Sequence, residues 1–233
     1  MTSRLTRSLL AILFACSAWS GAAKAGDPWQ FWPELTWYVQ LNPLLRLYVD
    51  DSYTVQGDTD AQSLDLTAAI DISVKPIARK SIQSLDWQRN RFFWIRIGYD
   101  HNGSGSNGTV DTVENRGILA FNATAPLPRG TCLAGRVEVD FRWIEGDYST
   151  RYRFRLEVNH EFTVHGRSIV PYFNVESFYD SRYDAWSRTL YQGGSEFTVN
   201  QRFRYEIYLA RQNTRLPDRS NVNALGVIAK FYY

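Results

Sequence analysis

Apolar and polar residues alternate with a period of two along most of the chain. Leu64, Leu66, Ala68, Ile70, Ile72 and Val74 are interleaved with Asp65, Thr67, Ala69, Asp71, Ser73 and Lys75. The pattern returns at Phe93, Ile95, Ile97 and Tyr99, at Val137, Val139, Phe141 and Trp143, and at Tyr152, Phe154, Leu156 and Val158. It recurs near the end at Phe203, Tyr205, Ile207 and Leu209, and again at Leu225, Val227, Ala229, Phe231 and Tyr233. Alternation of this kind puts one greasy and one polar face on a strand. No stretch sustains an apolar repeat at helical spacing, so the pattern predicts an all-β chain.

Turn residues separate the alternating runs: Asn42-Pro43, Gly57-Asp58, Pro126 to Gly130, Glu145-Gly146-Asp147, His165-Gly166 and Leu216-Pro217-Asp218. His101 to Thr112, rich in Gly, Ser and Asn, reads as a long polar loop. Eleven segments result, near 29–41, 44–54, 62–75, 91–101, 113–125, 131–144, 148–161, 168–178, 186–199, 201–213 and 221–233. A closed antiparallel barrel with both ends on one side needs an even number of strands. About twelve are therefore expected, with a further strand around Ser81 to Trp87; ten follow if the first hairpin is one bent strand.

The start of the chain departs from this texture. Met1 to Arg7 is short and positive, Ser8 to Trp19 is nearly all apolar, and the stretch closes on Ala23-Lys24-Ala25. That is the layout of a secretory signal peptide cleaved after residue 25, too short in its apolar part to span a bilayer as a helix. Residues 26–233 then form one domain, with Cys132 as its single thiol. The full chain has 26 Lys and Arg against 24 Asp and Glu. Removing Arg4, Arg7 and Lys24 leaves 23 against 24, a balance of −1. This is not the basic footprint of a nucleic-acid binder, so no nucleic-acid partner is expected. A mean hydropathy of −0.35, with no second long apolar run, excludes a bundle of membrane helices.

Alternation also suits a soluble sandwich with its apolar face inside. Segment length breaks the tie, because runs of 10–14 residues exceed the usual soluble strand and suffice to cross a bilayer at a tilt. Aromatics gather near segment ends, as at Trp37, Tyr99, Trp143, Tyr148, Phe173, Tyr191 and Tyr233, like the girdles of membrane barrels. The last strand ends on an aromatic, as do strands read by the outer-membrane assembly machinery. The expected fold is a closed antiparallel transmembrane β-barrel in the cell outer membrane, monomeric, surrounded by outer-membrane lipid and lipopolysaccharide.

Several segments carry a likeness to a known group. The Trp-rich first strand (Trp29, Trp32, Trp37), the arginine strand Arg151 to Arg155, and the run Pro171-Tyr172-Phe173-Asn174-Val175-Glu176-Ser177-Phe178 stand out. With the closing strand to Tyr233, the chain resembles a family of small Gram-negative outer-membrane barrels known as a domain of unknown function. The resemblance implies a barrel and no established activity.

With polar faces inward, strand parity sends Arg46, Arg96, Arg116, Arg136, Arg142, Arg151, Arg153, Arg155, Arg188, Arg202 and Arg204 to the lumen. The same parity sends Asp65, Asp71, Glu138, Asp140, Glu157, Glu176 and Glu206 there, and aligns Tyr172, Asn174 and Glu176 on one face. Two readings stand side by side. In one, arginines pair with carboxylates and plug a narrow barrel. In the other, surplus arginine lines a small passive channel biased towards an anionic small solute. Tyr172, Asn174 and Glu176 form a ladder suited to hold an arginine or to touch a sugar.

An outer-membrane lipid-modifying hydrolase is the alternative, and it needs a nucleophile beside an oriented histidine. The histidines are His101, His160 and His165, and no Ser-His-Asp spacing or metal-ligand motif accompanies them. No catalytic activity, cofactor or metal is therefore expected.

Overall fold

The computed structural model describes residues 27–56, 61–76, 91–106, 111–216 and 220–233. The segment expected as a signal peptide and the stretch holding Ser81 to Trp87 lie outside the described residues. The strands are β1 (Trp29–Gln40), β2 (Leu45–Gln56), β3 (Ala61–Pro76), β4 (Arg91–Ser106), β5 (Thr112–Pro126) and β6 (Thr131–Ile144). They continue as β7 (Asp147–His160), β8 (Phe162–Val164), β9 (Arg167–Asp180), β10 (Ala185–Thr198), β11 (Phe203–Thr214) and β12 (Val222–Tyr232).

Each strand of the ring pairs with the next until β12 returns to β1, closing a barrel of eleven strands. The twelfth strand, β8, stands outside the ring and pairs only with the start of β9. The expected all-β closed barrel is present, and the described residues hold twelve strands, eleven of them in the ring. Its closure differs from the even antiparallel ring expected. β1 and β12 run parallel, from Trp29 opposite Asn223 to Tyr38 opposite Tyr232. An odd ring of alternating strands must contain one parallel neighbour pair, and here it is the pair of terminal strands. Trp37 stacks on Phe231 at 6.0 Å and Tyr38 on Tyr232 at 4.9 Å, so aromatic rings reinforce the seam. Because both strands run the same way, the barrel has an entry rim where β1 begins and an exit rim where β12 ends.

Turn chemistry explains the tight connections. Glu145-Gly146 and His165-Gly166 both take left-handed φ, 54° and 95° then 49° and 77°, as two-residue hairpin loops require. The stretch expected as a loop from His101 instead continues β4 to Ser106, paired with β3 and β5. Its Gly and Ser residues do not stop it, because β3 pairs with it as far as Ser106 and β5 as far as Ser104, taking its backbone hydrogen bonds.

The faces are inverted relative to a water-soluble core. Leu66, Ile97 and Leu156 are 50, 52 and 58% exposed, whereas Arg46, Arg142 and Arg204 are 1, 3 and 4% exposed. The apolar faces form a continuous outer belt, and the charged faces meet around the axis.

Candidate functional site

The enclosed interior holds one set of ion pairs at each end and a chamber between them. Towards the exit rim, Asp71 on β3 is completely buried between two arginines. Arg46 on β2 donates from Nη2 at 2.5 Å, and Arg96 on β4 donates from Nε at 2.7 Å. The guanidinium of Arg46 lies 4.2 Å from the Tyr38 ring centre, and that of Arg96 lies 3.4 Å from the Tyr48 ring centre. Across the barrel at this end, Cys132, Val170, Glu196 and Arg204 are almost as inaccessible.

A second network lies on the β10 to β12 side. Lys230 donates to Glu196 at 2.8 Å and to Glu206 at 2.5 Å, while Tyr172 donates its hydroxyl to Glu206. Arg204 shares Glu196 at 3.2 Å.

On the β6 to β9 wall, Glu176 is fully buried and accepts from Arg136 Nη2 at 2.7 Å, Arg153 Nε at 3.0 Å and Arg155 Nη2 at 2.9 Å. Register places Arg155 directly opposite Glu176 and Arg136 directly opposite Arg155, so three strands converge on one carboxylate. Glu138 holds Arg153 from the other side at 2.5 Å. Phe178 lies beneath, its ring centre 5.1 Å from the Arg153 guanidinium and 4.8 Å from that of Arg188.

Towards the entry rim, Arg142 spans from Glu114 on β5 at 2.5 Å to Asp180 on β9 at 2.6 Å, and Arg151 binds Asp140 at 2.6 Å. Arg116 draws together Asp100, at 2.6 Å, and Asp65. On this side of the barrel the Asp65 side chain is still 24% exposed, so the entry rim stays wet beside β3.

The structure therefore faces Arg96, Arg116, Arg136, Arg142, Arg151, Arg153, Arg155, Arg188 and Arg204 inward together with Tyr172, Asn174, Glu176 and Glu206. Arg202 departs from that set, because it lies exposed in the turn between β10 and β11. Sequence reasoning missed Glu34, Asp50 and Lys230. Thr36, 1% exposed, donates its hydroxyl to Asp50 at 2.8 Å, with a Glu34 oxygen 3.2 Å from the same hydroxyl, and these carboxylates make no ion pair within 4.0 Å among the described residues. The inward parity of the first hairpin was the signal that reveals them.

Between the end networks lies a chamber of about 480 Å³. All eleven ring strands contribute to its wall. Eight carboxylate and six cationic side chains line it. The histidines stand apart from it: His101 faces outward to Asn115 at 2.8 Å, His160 touches Thr131 at 2.8 Å, and His165 occupies a hairpin turn.

The family model described as a protein of unknown function, DUF2490, matches residues 29–223, which span the ring from β1 into β12. The chain belongs to this family. Comparison with curated proteins gives no match. The DUF2490 match thus covers the strands that bring in Glu176, its three arginines and the Arg46–Asp71 pair, and it assigns none of them a role.

Proposed function

We infer that the protein is an outer-membrane β-barrel whose lumen is a blind polar chamber, so that it serves as a closed, non-conducting barrel and not as a passive pore. The observation carrying this reading is the dry level near the exit rim. Arg46, Asp71, Cys132, Val170, Glu196 and Arg204 come from six strands around the ring, and none exceeds 4% exposure. An open aqueous channel leaves its lining side chains wetted, whereas narrow barrels fill their interior with side chains. The eight-to-six excess of carboxylates in the chamber also favours this reading over the anion-biased channel.

The outward belt supports the membrane setting, since lipid provides no hydrogen bonds and a closed ring leaves no free edge. The barrel assembly machinery and lipopolysaccharide-bearing lipid are the partners this setting calls for. Planar-bilayer recording of the purified protein is the test. No single-channel steps are expected in simple salt or with acidic solutes, and reproducible unit steps would overturn the closed lumen. Cell fractionation tests the setting independently: recovery in the soluble fraction without detergent would overturn it.

A further inference from the structure

The ion pairs that close the barrel leave a different chemistry facing the chamber. Glu176 is turned away into its arginines, but its neighbours on the same face of β9, Tyr172 and Asn174, line the cavity. Gln192 on β10 donates to the Tyr172 hydroxyl at 2.9 Å and accepts from Asn174 Nδ2 at 3.4 Å. The other amide atom of Asn174, Oδ1, is buried and makes no hydrogen bond within the protein. Asn122 Nδ2, on β5, is in the same condition. The two residues are 1 and 8% exposed and both border the chamber, one short of a donor and the other short of an acceptor. Buried polar atoms without partners are rare in folded proteins, and a water or ligand reaching these two from the chamber would satisfy them. On the same chamber wall, Trp32 and Tyr208 approach at 6.5 Å, and Tyr172, the partner of Gln192, packs against their cluster.

Amide donors and acceptors next to an aromatic face complement a ring that carries hydroxyls at its edge and C–H groups on its faces. A charged solute would meet cations already committed to carboxylates, and would have to break those pairs to gain new ones. A neutral polyol can bond to the amides and to the spare lone pairs of the paired carboxylates without disturbing either. The volume of about 480 Å³ falls within the usual range of small-molecule sites. The wetted side at Asp65 provides the approach.

We propose that the lumenal chamber is a binding site for an uncharged, polyhydroxylated molecule of mono- or disaccharide size, held by Asn122, Asn174 and Gln192 against Trp32. This goes beyond the closed-barrel reading and does not depend on it, because a blind chamber and an open lumen would each present the same wall.

The experiment is calorimetric titration of the detergent-purified full barrel with glucose, trehalose, maltose, lactose and sucrose. Saturable heat is expected with at least one of them. Asn174→Leu removes the amide, and Ala134→Phe fills the chamber from β6. Each is expected to weaken that binding about tenfold or more, as losing a buried hydrogen-bonded contact does. The thermal transition of each variant reports whether it is folded, and either variant alone suffices.

Three results would overturn the proposal: no saturable heat with any of the five sugars, binding unchanged in a folded variant, or tighter binding of glucose 6-phosphate or glucosamine than of the neutral sugars. Bilayer recordings on the same preparation separate the two ideas. Steps with sugar binding retained remove only the closed lumen, and silence without sugar binding removes only the saccharide site.

Discussion

Arg136 on β6 reaches past β7 and places its Nη2 2.7 Å from Oε1 of Glu176 on β9. The contact works as a hoop on the inside of the wall, tying strands that share no backbone hydrogen bonds. Arg142 with Asp180 and Lys230 with Glu196 repeat the device elsewhere in the ring. Arginine suits it because its fork of donors serves two carboxylates at once.

Glu176 is the shared anchor of three guanidinium groups, so neutralising it leaves like charges facing one another in a dry site. Glu176→Gln is expected to destabilise the barrel by about 3–5 kcal/mol, the range for breaking a buried ion pair. Arg155→Gln, whose side chain is 27% exposed and is one donor of three, is expected to cost about 1 kcal/mol. Urea or thermal unfolding in detergent measures both. An equal or reversed order would show that Glu176 does not anchor the wall.

Tyr208 lies in a cross-strand row between Gly194 and Gly226. A Cβ built on Gly226 would stand 2.0 Å from the Tyr208 ring, so the glycine is present to let that ring lie flat on the backbone. Gly226→Ala is expected to cost about 1–3 kcal/mol through overpacking. Pairing it with Tyr208→Ala should recover part of that loss in a double-mutant cycle. Simple additivity of the two changes would disprove the coupling.

The outer belt makes a depth-dependent prediction. Leu156, in the middle of the exposed apolar face of β7, is 58% exposed, and Tyr148 near the entry rim is 56% exposed. In a bilayer, Leu156→Arg should cost about 2–4 kcal/mol and Tyr148→Arg about 0–1 kcal/mol. Folding yield into lipid vesicles, followed by protease protection, reads the difference. Equal yields would argue against a hydrocarbon environment for the belt.

Cys132 is 2% exposed on the inner face of β6 near the exit rim. A maleimide added to the folded barrel should leave it unmodified, and the same reagent after unfolding should label it fully, as mass spectrometry would register. Rapid labelling of the folded protein would mean that the exit end admits water.

Much of this fold was legible because a strand's period matches its chemistry so directly. The run from Leu64 to Lys75 announces both faces of β3, and Glu145-Gly146 and His165-Gly166 announce hairpins, each with a glycine at a left-handed φ that glycine adopts at no steric cost. The continuation of β4 through Asn102-Gly103-Ser104 was not legible, because residues of loop composition were held extended by neighbours on both sides. Glu34 and Asp50 escaped notice although the parity of the first hairpin turns both inward; that no basic side chain among the described residues forms an ion pair with them emerges only when β1 and β2 are rolled into the ring.

From the sequence alone came the alternating strands, the division of each into an oily and a charged face, and the turn chemistry between them, all of which depend on neighbours one or two residues away. Segment length and the aromatic strand ends also pointed the oily face outward; tertiary structure alone decided that eleven strands close through a parallel seam, and that Arg136, Arg153 and Arg155 meet at Glu176. Those outcomes depend on register and curvature summed around a closed ring, where a one-residue shift in any strand pair changes every partner beyond it.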